Sequence, residues 1–235
     1  MTAWPSVRNI AVPVLAAALA GCGGSTPTSP STPPYTPPPS SPVVQSGKLN
    51  DLQAARDIID WNMHATGGAS YRKTDRICRW ELPVPVYISP DADRERVIGA
   101  LDYWASQTVI TYRLVTSDTL PRLLVRSGTD GLAPWGGGRS VLDGTNADNS
   151  ARSGLVVYEP GGGGYCTNGS LSSSCLYLYR HELGHTLGIY MNTDVGLMGS
   201  ATNLNDREKR MLTALYSLPH GAAVGADGSW RVVGQ

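Results

Sequence analysis

The chain has 235 residues, and its 19 lysines and arginines balance 19 aspartates and glutamates. That length suits one ordinary domain with appendages, and zero net charge without a basic run argues against a nucleic-acid partner. Hydrophobic content of 41 % is ordinary for a globular protein, and 27 glycines point to many loops and turns.

The first segment, residues 1–21, reads as an export signal. Arg8 supplies a positive start, and Ile10 to Ala20 is an apolar run too short to span a bilayer. It ends in Leu19-Ala20-Gly21-Cys22, which looks like a bacterial lipobox, where the cysteine is lipidated and becomes the new N-terminus. A signal cleaved at an ordinary small-residue site is the alternative. Lipidation of Cys22 predicts an exported protein anchored to the bacterial cell envelope, with a membrane as partner through the acyl chains. Gly23 follows, where an aspartate would favour inner-membrane retention, so the outer membrane or cell surface is expected. Residues 22–46 are rich in Pro, Ser and Thr; Pro33-Pro34 and Pro37-Pro38-Pro39 favour extended polyproline stretches, so the segment reads as a tether.

Residues 47–79 form an N-terminal helical segment, in which Leu52, Ala55, Ile59 and Met63 recur at helical spacing before Gly67-Gly68. The main domain is expected over 80–218. Val84–Ile88 reads as a strand, and Arg94–Gln107 as a helix capped by Asp91 or Asp93 with an apolar face of Val97, Ile98, Leu101 and Trp104. Val109–Val115 and Arg122–Arg126 read as strands, and Gly154–Glu159 as another, leading towards the next helix. Residues 127–153 read as loops. Within them Asp143, Asn146 and Asp148 offer oxygens at the loose spacing that Ca2+ accepts. Cys166 and Cys175 bracket a short Ser- and Gly-rich loop, and a disulfide between them would pin the approach to that helix. Residues 219–235 read as a tail with one apolar piece, Trp230 to Val233.

The chemistry concentrates in Arg180-His181-Glu182-Leu183-Gly184-His185-Thr186-Leu187-Gly188. Two of the four histidines lie here, four residues apart on a predicted helix over 176–188, so His181 and His185 can point at one metal ion. Glu182 stands where a carboxylate can take a proton from a water on that metal. Gly188 can end the helix, Leu197-Met198-Gly199 follows, and Leu204 to Tyr216 reads as a further helix capped by Asn205 or Asp206.

This order resembles the metzincin family of zinc endopeptidases: His-Glu-x-x-His-x-x-Gly-x-x-His, a Met-turn, then a C-terminal helix. His181, Glu182, His185 and Gly188 match, and Met198 is placed as the Met-turn methionine. The strand and helix order from residue 80 is similar too. The resemblance implies an α+β fold: a twisted mixed β-sheet with two long helices, and a smaller C-terminal subdomain with a third. It implies Zn2+ on His181 and His185, Glu182 as the base, and a peptide or protein substrate.

The family's third ligand position holds Met191, and a thioether is a poor zinc ligand. Asp194 is the candidate third ligand, with Asn192 the weaker one; Tyr190 is an oxyanion candidate, or a packing residue. The function expected is a zinc-dependent metalloendopeptidase tethered outside the cytoplasm. The alternatives are a catalytically impaired binding protein of the same fold that lacks the third ligand, and a structural surface lipoprotein whose helix binds nothing.

Cys22→Ala is expected to move the protein from the membrane fraction to the soluble fraction after cell breakage, since no other apolar run approaches the roughly 20 residues of a spanning helix. A mutant that still sediments with membranes would show that the anchor lies elsewhere.

Overall fold

The computed structural model describes residues 44–65, 74–129, 137–166 and 172–233. These fall within one compact unit, Ser41–Gln235. Cys22, the predicted signal and most of the predicted tether lie outside the described residues.

Among the described residues the first elements are strand β1 (Val44–Lys48) and helix α1 (Leu52–Ile58), which widens into a π-helical turn over Ile59–Met63. Asp51 caps α1 by accepting from the Ala54 N–H at 2.9 Å. Strand β2 (Val84–Ile88) leads to helix α2 (Arg94–Gln107), where Asp93 caps and Val97, Ala100, Leu101 and Trp104 are buried. Strands β3 (Tyr112–Leu114), β4 (Arg122–Ser127), β5 (Gly138–Thr145) and β6 (Ala151–Tyr158) follow, then a 3-10 turn at Pro160–Tyr165 and helix α3 (Ser173–Leu187). Helix α4 (Asp206–Ser217) and strands β7 (Ala223–Val224) and β8 (Ser229–Val233) complete it.

Five strands form a mixed sheet in the order β3-β2-β4-β6-β5. β2 runs parallel to β3 and β4, β4 runs parallel to β6, and β5 alone is antiparallel. Helix α3 lies against β5 and β6, with α2 packed beside it. The architecture is thus mixed α and β, compatible with the α+β class. The second sheet, β1-β8-β7, is small and antiparallel.

Two differences from the sequence reading have physical causes. Residues 138–145, read as loop, are a strand. Only Val141 and Leu142 are strongly apolar there, so no period-2 pattern marks them; the strand exists because its backbone pairs with β6 from Gly138–Tyr158 to Thr145–Ala151. The turn between them places Asn149 at φ 68°, which asparagine tolerates. The Asp143, Asn146 and Asp148 groups are spent inside this hairpin: Asp143 accepts from Ser153, Asn146 donates to Ser150, and Asp148 accepts the Ser150 N–H and hydroxyl.

The second difference is that the predicted tail and the end of the predicted tether are paired strands. β8, in the predicted tail, pairs with β1, which begins within the predicted tether. Helix α4 packs on α1, and Arg207 clamps the buried Asp57 with two hydrogen bonds of 2.7 and 3.0 Å while lying over the Trp61 ring.

Asn62 ties the N-terminal segment to the end of α3. Fully buried, it accepts from the Cys78 N–H and donates to the carbonyls of Cys78 and Gly188, all at 2.8–2.9 Å. Removing a buried amide strands its partners at about 1–3 kcal/mol each. Asn62→Ala is expected to lower unfolding free energy by about 3 kcal/mol, measured by urea denaturation; a change below about 1 kcal/mol would show that solvent replaces the lost partners.

Candidate metal centre

Helix α3 carries the two histidines, and its own sequence explains its limits. Ser172 caps the start by accepting from the Cys175 N–H, a disulfide joins Cys166 to Cys175, and Gly188 ends the helix at φ 133°. Among the described residues four side chains from elsewhere in the chain donate to α3 carbonyls. The Tyr158 hydroxyl reaches Tyr179, the Trp104 indole Arg180, the Trp80 indole Thr186 and the Tyr216 hydroxyl Leu187, at 2.7–2.9 Å. The helix is therefore fixed in rotation, and one face, with His181, Glu182 and His185 all buried, is held against β5.

The two imidazoles are oriented by backbone carbonyls. His181 Nδ1 lies 2.9 Å from the Leu197 carbonyl oxygen, and His185 Nδ1 lies 2.9 Å from that of Ile189. A carbonyl oxygen only accepts, so each Nδ1 carries the ring proton. In a neutral ring the Nε2 then presents a lone pair, and the two Nε2 atoms stand 3.1 Å apart. Burial first, and then the neighbouring His181, drive the His185 pKa down to about 4, so its lone pair is available through the neutral range.

Glu182 follows His181 on the same helix. Its Oε2 accepts a 2.8 Å hydrogen bond from Ser140 on β5. Burial raises its pKa, while His181 and the Ser140 hydroxyl pull in the opposite direction. β5 approaches so closely that a Cβ at Gly138 would meet the Glu182 side chain at 2.6 Å.

Beneath the histidines lies the turn that carries Met198. Leu197 and Met198 are fully buried. Met198 packs at Gly184, where a Cβ would strike its sulfur and would meet Trp104 at 2.7 Å, so glycine between the two histidines is required for this packing. The turn is held by Glu208 of α4. Its buried carboxylate accepts from the N–H groups of Leu197, Met198 and Asn205 at 3.1, 2.8 and 2.9 Å, and Asn205 caps α4 in return at 2.9 Å. Burial pushes the Glu208 pKa up, and these N–H groups draw it down. Gly196 (φ 60°) lies against the same carboxylate, which leaves no room for a side chain.

The segment 189–196 settles where the other sequence candidates stand. Met191 is partly buried and packs against the core. Asp194 is not brought to the histidines: it is exposed and its charge acts on Arg207, and among the described residues no three His, Cys, Asp or Glu side chains group to hold a metal. The reason is the hydrogen bonding of the following loop, in which the Thr193 N–H meets the Met198 carbonyl and its hydroxyl that of Val195, turning residue 194 outward. Asn192 instead places Oδ1 3.0 Å from His181 Nε2. Tyr190 is fully buried and donates to the Cys78 carbonyl at 2.9 Å, which makes it a packing residue. His220, half-buried, feels Arg79 and Asp148 rather than the centre.

Sequence reasoning missed Ser140 and the role of Glu208. For Glu208 a signal existed, since Asn205-x-x-Glu208 is a capping box; for Ser140 none did, because β5 itself was unmarked.

No protein-family model matches the sequence, and no curated protein is significantly similar to it. The centre must therefore be judged by its chemistry. Two Nε2 atoms facing each other, each ring with its second nitrogen bound to a carbonyl, form the arrangement expected of metal-ligating histidines. Zn2+ at about 2.0–2.1 Å from each nitrogen sets tetrahedral neighbours about 3.3 Å apart, close to the 3.1 Å seen.

Because the Ser140 hydroxyl stabilises the charged form of Glu182, Ser140→Ala is expected to raise the Glu182 pKa further. Carboxyl-carbon NMR titration of the metal-free protein reads this; an unchanged or lower pKa would show that the hydroxyl does not hold the carboxylate.

Proposed function

We propose that this protein is a zinc-dependent peptide hydrolase of metzincin type, held outside the cytoplasm by lipid on Cys22. The observation that carries the reading is the pair of inward Nε2 lone pairs of His181 and His185, 3.1 Å apart, beside the buried carboxylate of Glu182. His181 and His185 would hold the zinc ion, which would supply Lewis acidity to acidify a water and polarise a carbonyl.

This chain's own groups do the rest. Ser140 engages Glu182 Oε2 and leaves Oε1 to accept the proton of the attacking water. Glu182 then donates that proton to the departing amine nitrogen. Met198 forms an apolar floor below the histidines and is not a ligand. β5 supports a peptide substrate: it ends the sheet, and among the described residues no strand pairs with its outer side, so an extended peptide can add there by backbone hydrogen bonds. In the 143–148 hairpin one carboxylate oxygen each of Asp143 and Asp148 already accepts from Ser153 and Ser150, which competes with the Ca2+ reading.

A second reading is favoured by Met191. With the family's third ligand position turned into the core, the domain would bind a peptide without cleaving it.

Glu182→Gln keeps the side-chain shape and removes the base. It is expected to lower hydrolysis of a quenched-fluorescent peptide by about 100-fold or more while zinc, measured by atomic absorption, stays bound. Wild-type protein that holds one zinc per chain yet cleaves nothing in a diverse peptide library supports the binding reading instead.

A further inference from the structure

The function proposed above needs a zinc site, and two histidines are one protein ligand short of the usual three. We infer that the side-chain carboxamide oxygen of Asn192 is the third ligand, making a metal centre of three neutral donors: two imidazole nitrogens and one amide oxygen. This rests on the zinc reading of the histidines and goes beyond it.

Both ring protons are on Nδ1, committed to the Leu197 and Ile189 carbonyls. In a neutral ring His181 Nε2 then has no proton to give, yet it faces His185 Nε2 at 3.1 Å and Asn192 Oδ1 at 3.0 Å. Three acceptors converge with no donor among them. A proton on one ring satisfies one such contact at a time, whereas a divalent cation at their centre satisfies all three.

The backbone explains why residue 192 takes this place rather than 191 or 194. After Gly188 the chain is fastened by the Tyr190 N–H to the Trp61 carbonyl at 2.8 Å, and the Tyr190 hydroxyl is fixed at Cys78. Met191 packs against the core, the exposed Asn192 faces the rings, and the 2.9 Å bond from the Thr193 N–H to the Met198 carbonyl turns the chain away before Asp194. A one-residue displacement relative to the family spacing thus replaces an imidazole or carboxylate by an amide.

The donor set has consequences. An amide oxygen holds zinc more weakly than imidazole does, so affinity is low. Three neutral donors also leave the ion's charge uncompensated, so its polarising power is high. Weak retention and strong polarisation should therefore occur together.

The test is a Co2+ titration of the purified full-length protein, followed by visible d–d absorption, with zinc competition for affinity. Asn192 is exposed, so its variants should fold, and circular dichroism checks this. Asn192→Ala is expected to weaken Co2+ and Zn2+ binding on the order of 100-fold and to change the d–d spectrum. Asn192→Asp, adding a negative oxygen, is expected to tighten binding by about tenfold or more. Met191→His and Asp194→Ala are expected to change neither. An Asn192→Ala protein with wild-type affinity and spectrum overturns the proposal, because the amide would then only hydrogen-bond to the ring. Tighter binding by Met191→His, or weaker binding by Asp194→Ala, also overturns it, since another position would face the metal. Wild-type protein that binds neither metal defeats the zinc reading itself. Metal binding that depends on Asn192, together with peptide cleavage unaffected by Glu182→Gln, leaves the ligand assignment standing and removes the hydrolytic mechanism.

Discussion

The histidine pair depends on a carboxylate that touches neither ring. Glu208 is buried on α4 and gives its oxygens to three backbone N–H groups, those of Leu197, Met198 and Asn205. A buried carboxylate is costly unless its lone pairs are filled, and here the three N–H groups fill them. The same contacts fix the peptide whose carbonyl orients His181. One carboxylate therefore caps a helix, closes the turn below the centre and sets the tautomer of a histidine through one peptide unit. Loss of any of these disturbs the others, because they share two oxygen atoms.

Helix α3 is held by a second set of constraints, all of them polar contacts from bulky side chains. Trp80, Trp104, Tyr158 and Tyr216 bury large apolar surfaces and finish on α3 carbonyls. Aromatic residues with one polar end suit this role, since they combine packing with a directed hydrogen bond. Translation of the helix would break the bonds and rotation would unpack the rings. That rigidity keeps two lone pairs 3.1 Å apart in a protein whose surrounding loops are rich in glycine.

The chain's ends contribute to the same structure. β1 and β8 pair, α1 rests on α4, and the Arg207–Asp57 clamp joins them. Asn62 then connects this layer to Gly188 at the end of α3. Segments outside the motif-bearing region thus brace the point at which the chain leaves helix α3, and with it the path of residues 189–192.

Much of this was legible in the sequence where the cause is local. Val84–Ile88 and Arg94–Gln107 are bounded by their own patterns and caps, as are most residues of α3 and α4. The spacing of His181, Glu182 and His185 by itself puts them on one helical face. The edge strand β5 was not legible, because backbone pairing with β6 creates it and backbone groups are the same in every residue. The pairing of β1 with β8 spans nearly the whole described chain, and no local pattern encodes it. The third residue at the histidines was decided by tertiary structure alone. One position along a chain reverses which way a side chain faces, and whether 191, 192 or 194 meets the rings depends on hydrogen bonds to Trp61 and Met198, far from the histidine motif or beyond it.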